Sequence, residues 1–111
     1  MNTANGIPCM IHCILVKWKK EQSPEISKLE ALFADCASIP GVYGVQFVPC
    51  CVDRENRYHL CIAISMQPDA LENWDASAIH RAWKQTYSCL IEQKAIFDFM
   101  ENSLSSSHYF S

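Results

Sequence analysis

No two cysteines in this 111-residue chain form a CxxC pair, and that absence removes the simplest zinc-finger and thioredoxin-type readings. Positive charge is scarce as well. Nine Lys and Arg stand against 12 Asp and Glu, a net charge of −3. A nucleic-acid binder needs concentrated positive charge, so that class is excluded as a partner. The one basic cluster, KWKK at Lys17–Lys20, is continued by nothing and reads as a solvated strand end. No apolar run approaches the length of a membrane span. The start, MNTANGIPCMIHCILV, lacks the basic beginning and small-residue cleavage site of a signal peptide. The expectation is a cytoplasmic protein without a membrane partner.

Hydrophobic residues are abundant. They make up 50% of the chain, which excludes a disordered polymer, and the length fits one domain with an ordinary core. The seven cysteines are odd in number and mostly sit inside strand or helix patterns, so they read as reduced thiols packed as small core residues. The vicinal pair Cys50–Cys51 is the unusual one, with a redox or metal role as its alternative.

Residues 1–8 are expected to be a flexible N-terminus, 9–101 the folded domain and 102–111 a flexible tail. MIHCILVKW (10–18) is apolar and β-branched and predicts a strand. Ser23 followed by Pro24 predicts a helix start, Ile26, Leu29, Leu32, Phe33 and Cys36 keep helical spacing, and IPG at 39–41 ends it. VYGVQFVPCC (42–51) predicts a second strand, with Pro49 marking an edge or bulge. YHLCIAISM (58–66) predicts a third, QPDALENWD a short helix, Ser77 to about Gln93 a main second helix, and AIFDFM (95–100) a last strand.

The fold class is therefore α+β, a ferredoxin-like βαββαβ protomer. Alternation makes both sheet faces apolar, while two helices cover only one. A second copy of the same sheet is the simplest cover for the other face, so the expectation is a homodimer. An RNA-recognition module shares this element order, but its basic and aromatic third-strand signature is missing from YHLCIAISM.

Histidine supplies the candidate chemistry. Ser77 reads as an N-cap, which puts His80 in the first helical turn, where free backbone N–H groups favour neutral imidazole. His80, Trp83 and Tyr87 share a helical stripe. His59 alternates with Cys61, Ala63 and Ser65, a row of small side chains that leaves room for a ligand, and His12 would reach the same region from the neighbouring strand. The structural alternative is that these histidines hydrogen-bond within a closed core. Three imidazoles could also hold zinc or copper, but Lys84 stands one turn after His80 where a ligand would help. No metal and no cofactor are expected.

Four stretches, MIHCILVKWKKEQS, IPGVYGVQFV, RYHLCIAISM and AIHRAWKQTYSCLIEQKAIFDFM, together resemble the stress-responsive dimeric α/β-barrel (Dabb) proteins over about residues 10–101. The resemblance implies a ferredoxin-like protomer whose sheet pairs with its twin to form a barrel. One plant member of that family is a polyketide cyclase that closes a linear β-polyketide by aldol condensation, without metal or organic cofactor. By resemblance His80 matches its catalytic histidine, and His12 and His59 match two cavity histidines. The family's common HPAH helix start is SAIH here, and Trp74 stands where the cyclase has its assisting tyrosine. Indole has no phenolic O–H to lend. The resulting expectation is a homodimeric barrel that binds a small, partly apolar molecule through His12, His59, Trp74, Trp83 and Tyr87. Cyclase-like or lyase chemistry with His80 as general base is the alternative.

Overall fold

Strand β1 spans Met10–Trp18, the limits of its apolar run. The computed structural model describes residues 8–103, so the expected flexible ends lie almost wholly outside the described residues. Helix α1 is shorter than its apolar stripe predicts, Ile26–Leu32, and its N-cap is Glu25 rather than Ser23. The first helical bonds, from the N–H groups of Lys28 and Leu29, both reach the Glu25 carbonyl, which places Pro24 before the helix. Phe33 and Cys36 stay buried through a turn and a 3-10 segment, Cys36–Ser38.

Gly41 then turns the chain with φ +85, a conformation open to glycine and strained for other residues. A Cβ here would also lie 2.6 Å from the Ala70 Cβ, so the turn needs glycine twice over. Strand β2, Val42–Pro49, follows, and β3 runs over Leu60–Met66, two residues shorter at its start than expected. A 3-10 turn at Pro68–Ala70 leads into helix α2, Leu71–Asp75, and α3 covers Ala78–Tyr87. The expectation of a helix continuing to Gln93 is corrected. Ser88–Leu90 is a 3-10 turn, and β4 begins at Ile91 and runs to Met100, because Ile91 and Gln93 pair with Trp18 and Lys17.

The four strands form one sheet in the order β2-β3-β1-β4, with every neighbouring pair antiparallel, which is the ferredoxin-like arrangement. The core lies between this sheet and the helices. Ile14 and Val16 of β1, and Ile62 and Ile64 of β3, meet Leu29, Phe33, Trp74 and Trp83 there. In β2 a bulge at Tyr43 interrupts the alternation, so Val42 joins Val45 and Phe47 on the helix side instead of facing away with Gly44 and Gln46.

Among the described residues no helix covers the other face. There, cross-strand partners put Ile11 beside Ser65 and Phe99, Cys13 beside Ala63 and Phe97, and Leu15 beside Cys61 and Ala95. Phe97 is 60% exposed and Val48 49%. Among the described residues no helix is long and apolar enough to cross a membrane.

Candidate ligand site

Helix α3 begins as its sequence predicts. Ser77 is its N-cap, and the Ser77 Oγ accepts from the His80 N–H at 3.1 Å while donating to the Trp74 carbonyl at 2.7 Å. The His80 ring turns back along the chain, with Nδ1 3.0 Å from the Asp75 carbonyl oxygen. A carbonyl only accepts, so Nδ1 carries the proton in the neutral ring and Nε2 is left as its basic nitrogen. Burial pushes the His80 pKa below its usual value. The Asp75 carbonyl and carboxylate work against that fall, and the Lys84 and Lys94 ammonium groups add to it.

The aromatic residues expected to line the ligand site are core instead. Trp74 is fully buried, stacked on Phe33 at 5.7 Å between ring centroids, with the His80 ring edge-on to it at 5.2 Å. Trp83 packs edge-on to Phe33 and is stacked on Tyr87 at 5.3 Å. These bulky rings fill the space between helices and sheet around the first turn of α3. The same apolar stripe that sets the helix against the sheet consumes the room a ligand would need there.

The three histidines are not brought together. His12 pairs with Ile64 in the β1–β3 ladder, so it faces the helix side and not the row of Cys61, Ala63 and Ser65. It is buried, and its Nδ1 meets the Asp98 carboxylate at 2.5 Å. His59 precedes β3 and escapes its alternation. It is exposed, and its Nδ1 accepts from the Trp18 N–H at 3.0 Å, which holds the ring at the sheet's end beside Lys17 and Glu92. The expectation that His12 and His59 share a face with the small-residue row is thus corrected by strand register. Among the described residues no group of three His, Cys, Asp or Glu is placed to hold a metal ion.

The room is on the uncovered face. A concavity of about 540 Å³ lies over the middle of the sheet, floored by Cys13, Gly44, Ala63 and Ser65, with Ile11 and Phe99 as apolar walls. Gln46 and Glu101 supply its other polar groups. The small-residue row announced this hollow in the sequence. Phe99 and Glu101 did not stand out, because their place depends on β4 pairing with β1, which puts Phe99 beside Ile11, and on the Glu101 N–H donating to the Cys9 carbonyl at 2.8 Å. Such a volume is ordinary for a small-molecule site, but on a lone protomer it opens to solvent.

No protein-family model matches the chain, and no curated protein matches it. Solved structures do. A dimeric ferredoxin-like protein of unknown function from Thermobifida fusca superposes with a TM-score of 0.69 at 14% identity, over 85% of this chain and 92% of that one. The hydroxynitrile lyase of Passiflora edulis gives a TM-score of 0.66 at 12% identity, over 83% and 92%. A Dabb family protein with a ferredoxin-like fold from Mesorhizobium loti gives 0.59 at 14% identity, over 83% and 95%. At these identities the likeness is one of fold, and at that level the resemblance to Dabb proteins read from the sequence holds.

Proposed function

We propose, from the fold shared with dimeric ferredoxin-like proteins, that this chain is a homodimeric α/β-barrel protein of the stress-responsive type that binds a small, partly apolar molecule within the barrel. The observation that carries the reading is the uncovered sheet face. It combines exposed Phe97 and Val48 with a hollow floored by small side chains. A soluble chain rarely leaves such a face in water, and a second copy laid over it turns an open hollow into an enclosed one. The setting proposed is the cytoplasm, where the seven cysteines, all free and three of them buried (Cys9, Cys13 and Cys36), stay reduced.

Two measurements test it. Sedimentation velocity of the wild type should give a dimer mass, and Phe97→Glu should give a folded monomer; a wild-type monomer at every concentration overturns the dimer. The neutral fluorophore N-phenyl-1-naphthylamine should brighten with the wild type and with His80→Ala, and lose that response in Ala63→Trp, whose indole fills the hollow. Binding unaffected by Ala63→Trp removes the concavity as the site.

A second reading rests on His80. Its neutral ring, protonated at Nδ1 by the Asp75 contact and held below its usual pKa, leaves Nε2 as a base ready near pH 7. In that reading the protein is a cofactor-independent cyclase or lyase that removes a proton beside a carbonyl. Turnover of a β-ketoacyl thioester should then vanish in His80→Ala while the circular dichroism stays that of the wild type. Undiminished turnover in that variant removes His80 as the base.

A further inference from the structure

The uncovered concavity has an electrostatic character that its small-residue floor does not explain. Of the described side chains that line it, Glu101 alone carries a formal charge. The one ion pair among the described residues is His12–Asp98, so Glu101 has no cationic partner among them. Its charge is felt by the Cys9 thiol. Burial pushes the Cys9 pKa up and the charge of the Glu101 carboxylate adds to that rise, while the Cys9 S–H donates to the Met10 carbonyl at 3.9 Å.

Aromatic surface lies beside this carboxylate. Phe99 walls the concavity, and its ring centroid is 5.9 Å from that of Phe97, which shares the same face. The remaining polar groups suit a donor. Ser65 Oγ donates to the Gly44 carbonyl at 3.4 Å, leaving its own lone pairs to accept, and Gln46 offers an amide oxygen.

From the placement of Glu101 beside Phe99 at the edge of a hollow that holds no basic side chain among the described residues, we infer that the site selects organic ammonium ions over carboxylates. The occupant is an amine carried on an aromatic or aliphatic body. The inference rests on the reading of the concavity as the ligand site and adds the class of molecule it takes. A carboxylate and a π-face are the two groups that recognise an ammonium ion best: one through charge-assisted hydrogen bonds, the other through the ring quadrupole. An anionic ligand would meet the like charge of Glu101 with no cation to offset it. Covering the hollow with a second sheet lowers the local dielectric and sharpens both effects.

The test uses three probes of one shape, 2-phenylethylamine, 2-phenylethanol and 3-phenylpropanoate, titrated calorimetrically into the full chain near pH 7. The ammonium compound should bind roughly tenfold more tightly than the alcohol, the size expected of one charge-assisted contact with a π-face beside it. The carboxylate should bind more weakly than the alcohol. Glu101→Gln should bring the amine down to the level of the alcohol and leave the alcohol unchanged. Phe99→Leu should cut the preference for the amine by a smaller factor. Equal binding of the three probes, tighter binding of the carboxylate, or a preference that survives Glu101→Gln overturns the inference while leaving the hollow a ligand site. Absence of binding by all three and by N-phenyl-1-naphthylamine removes the ligand site and the inference with it.

Discussion

His12 and Asp98 face each other across the β1–β4 ladder, with Nδ1 of the buried imidazole 2.5 Å from Oδ1 of a carboxylate that is 36% exposed. The edge position of β4 lets one partner of this pair see water while the other does not. Asp98→Ala leaves a buried N–H without its acceptor and should cost about 1–3 kcal/mol in urea unfolding. Asp98→Asn, which keeps an oxygen acceptor, should cost less. Equal losses in the two variants would mean that the loss lies in packing and not in the hydrogen bond.

His80 makes stability depend on pH in a defined sense. Its folded pKa lies below the ordinary value of 6.5, chiefly through burial, so the unfolded chain binds the proton more readily. The contribution is therefore intact above the unfolded pKa and is lost as pH falls below it, toward the folded pKa. An NMR titration of the His80 ring should have its midpoint below 6.5. On acidification through this window the wild type should lose stability relative to His80→Gln. A midpoint above the ordinary value reverses the sign and removes the effect.

At Gly41 two constraints can be separated. Gly41→Ala meets both the positive φ and the Ala70 Cβ, and should destabilise by at least about 1–3 kcal/mol. Adding Ala70→Gly removes the contact but not the strained dihedral. The double variant should therefore recover only part of the loss. Full recovery would show that contact alone excludes a side chain there.

The thiols should divide by burial. Burial, with Cys61 second, pushes Cys13 to about 11, and burial also raises Cys9 and Cys36. Cys50, Cys51 and Cys89 are exposed. Iodoacetamide followed by mass spectrometry should mark the exposed three well before the buried three, since the thiolate is the reacting form and access is needed. Early labelling of Cys13 would show that the face bearing it is neither covered nor packed.

Much of the architecture was legible in the sequence because it follows from local rules. The apolar, β-branched run located β1 to the residue, and the Ser77 cap placed the start of α3. What was lost was decided by pairing. Residues 91–93 carry helical spacing, yet they belong to β4 because β1 offers them hydrogen bonds, and the Lys19 N–H already takes the Leu90 carbonyl at 2.8 Å. Val42 changes face because one extra residue, Tyr43, enters β2. The candidate site was divided in the same way. The small residues Ala63 and Ser65 marked the hollow from sequence alone, whereas the separation of His12 from His59 required the register of β1 on β3 and the point at which β3 begins.

The bulge at Tyr43 has a further effect on how copies of this chain can assemble. An edge strand invites another strand, and an endless ribbon of sheets needs two receptive edges on every unit. Here β4 presents ten residues, while the outer edge on β2 is broken by the bulge near its start and by Pro49, which brings no N–H, at its end. One receptive edge and one spoiled edge favour closed assemblies of a few copies over growing filaments. The same residue that obscures the alternation of β2 in the sequence thus spoils one of the two edges a filament would need.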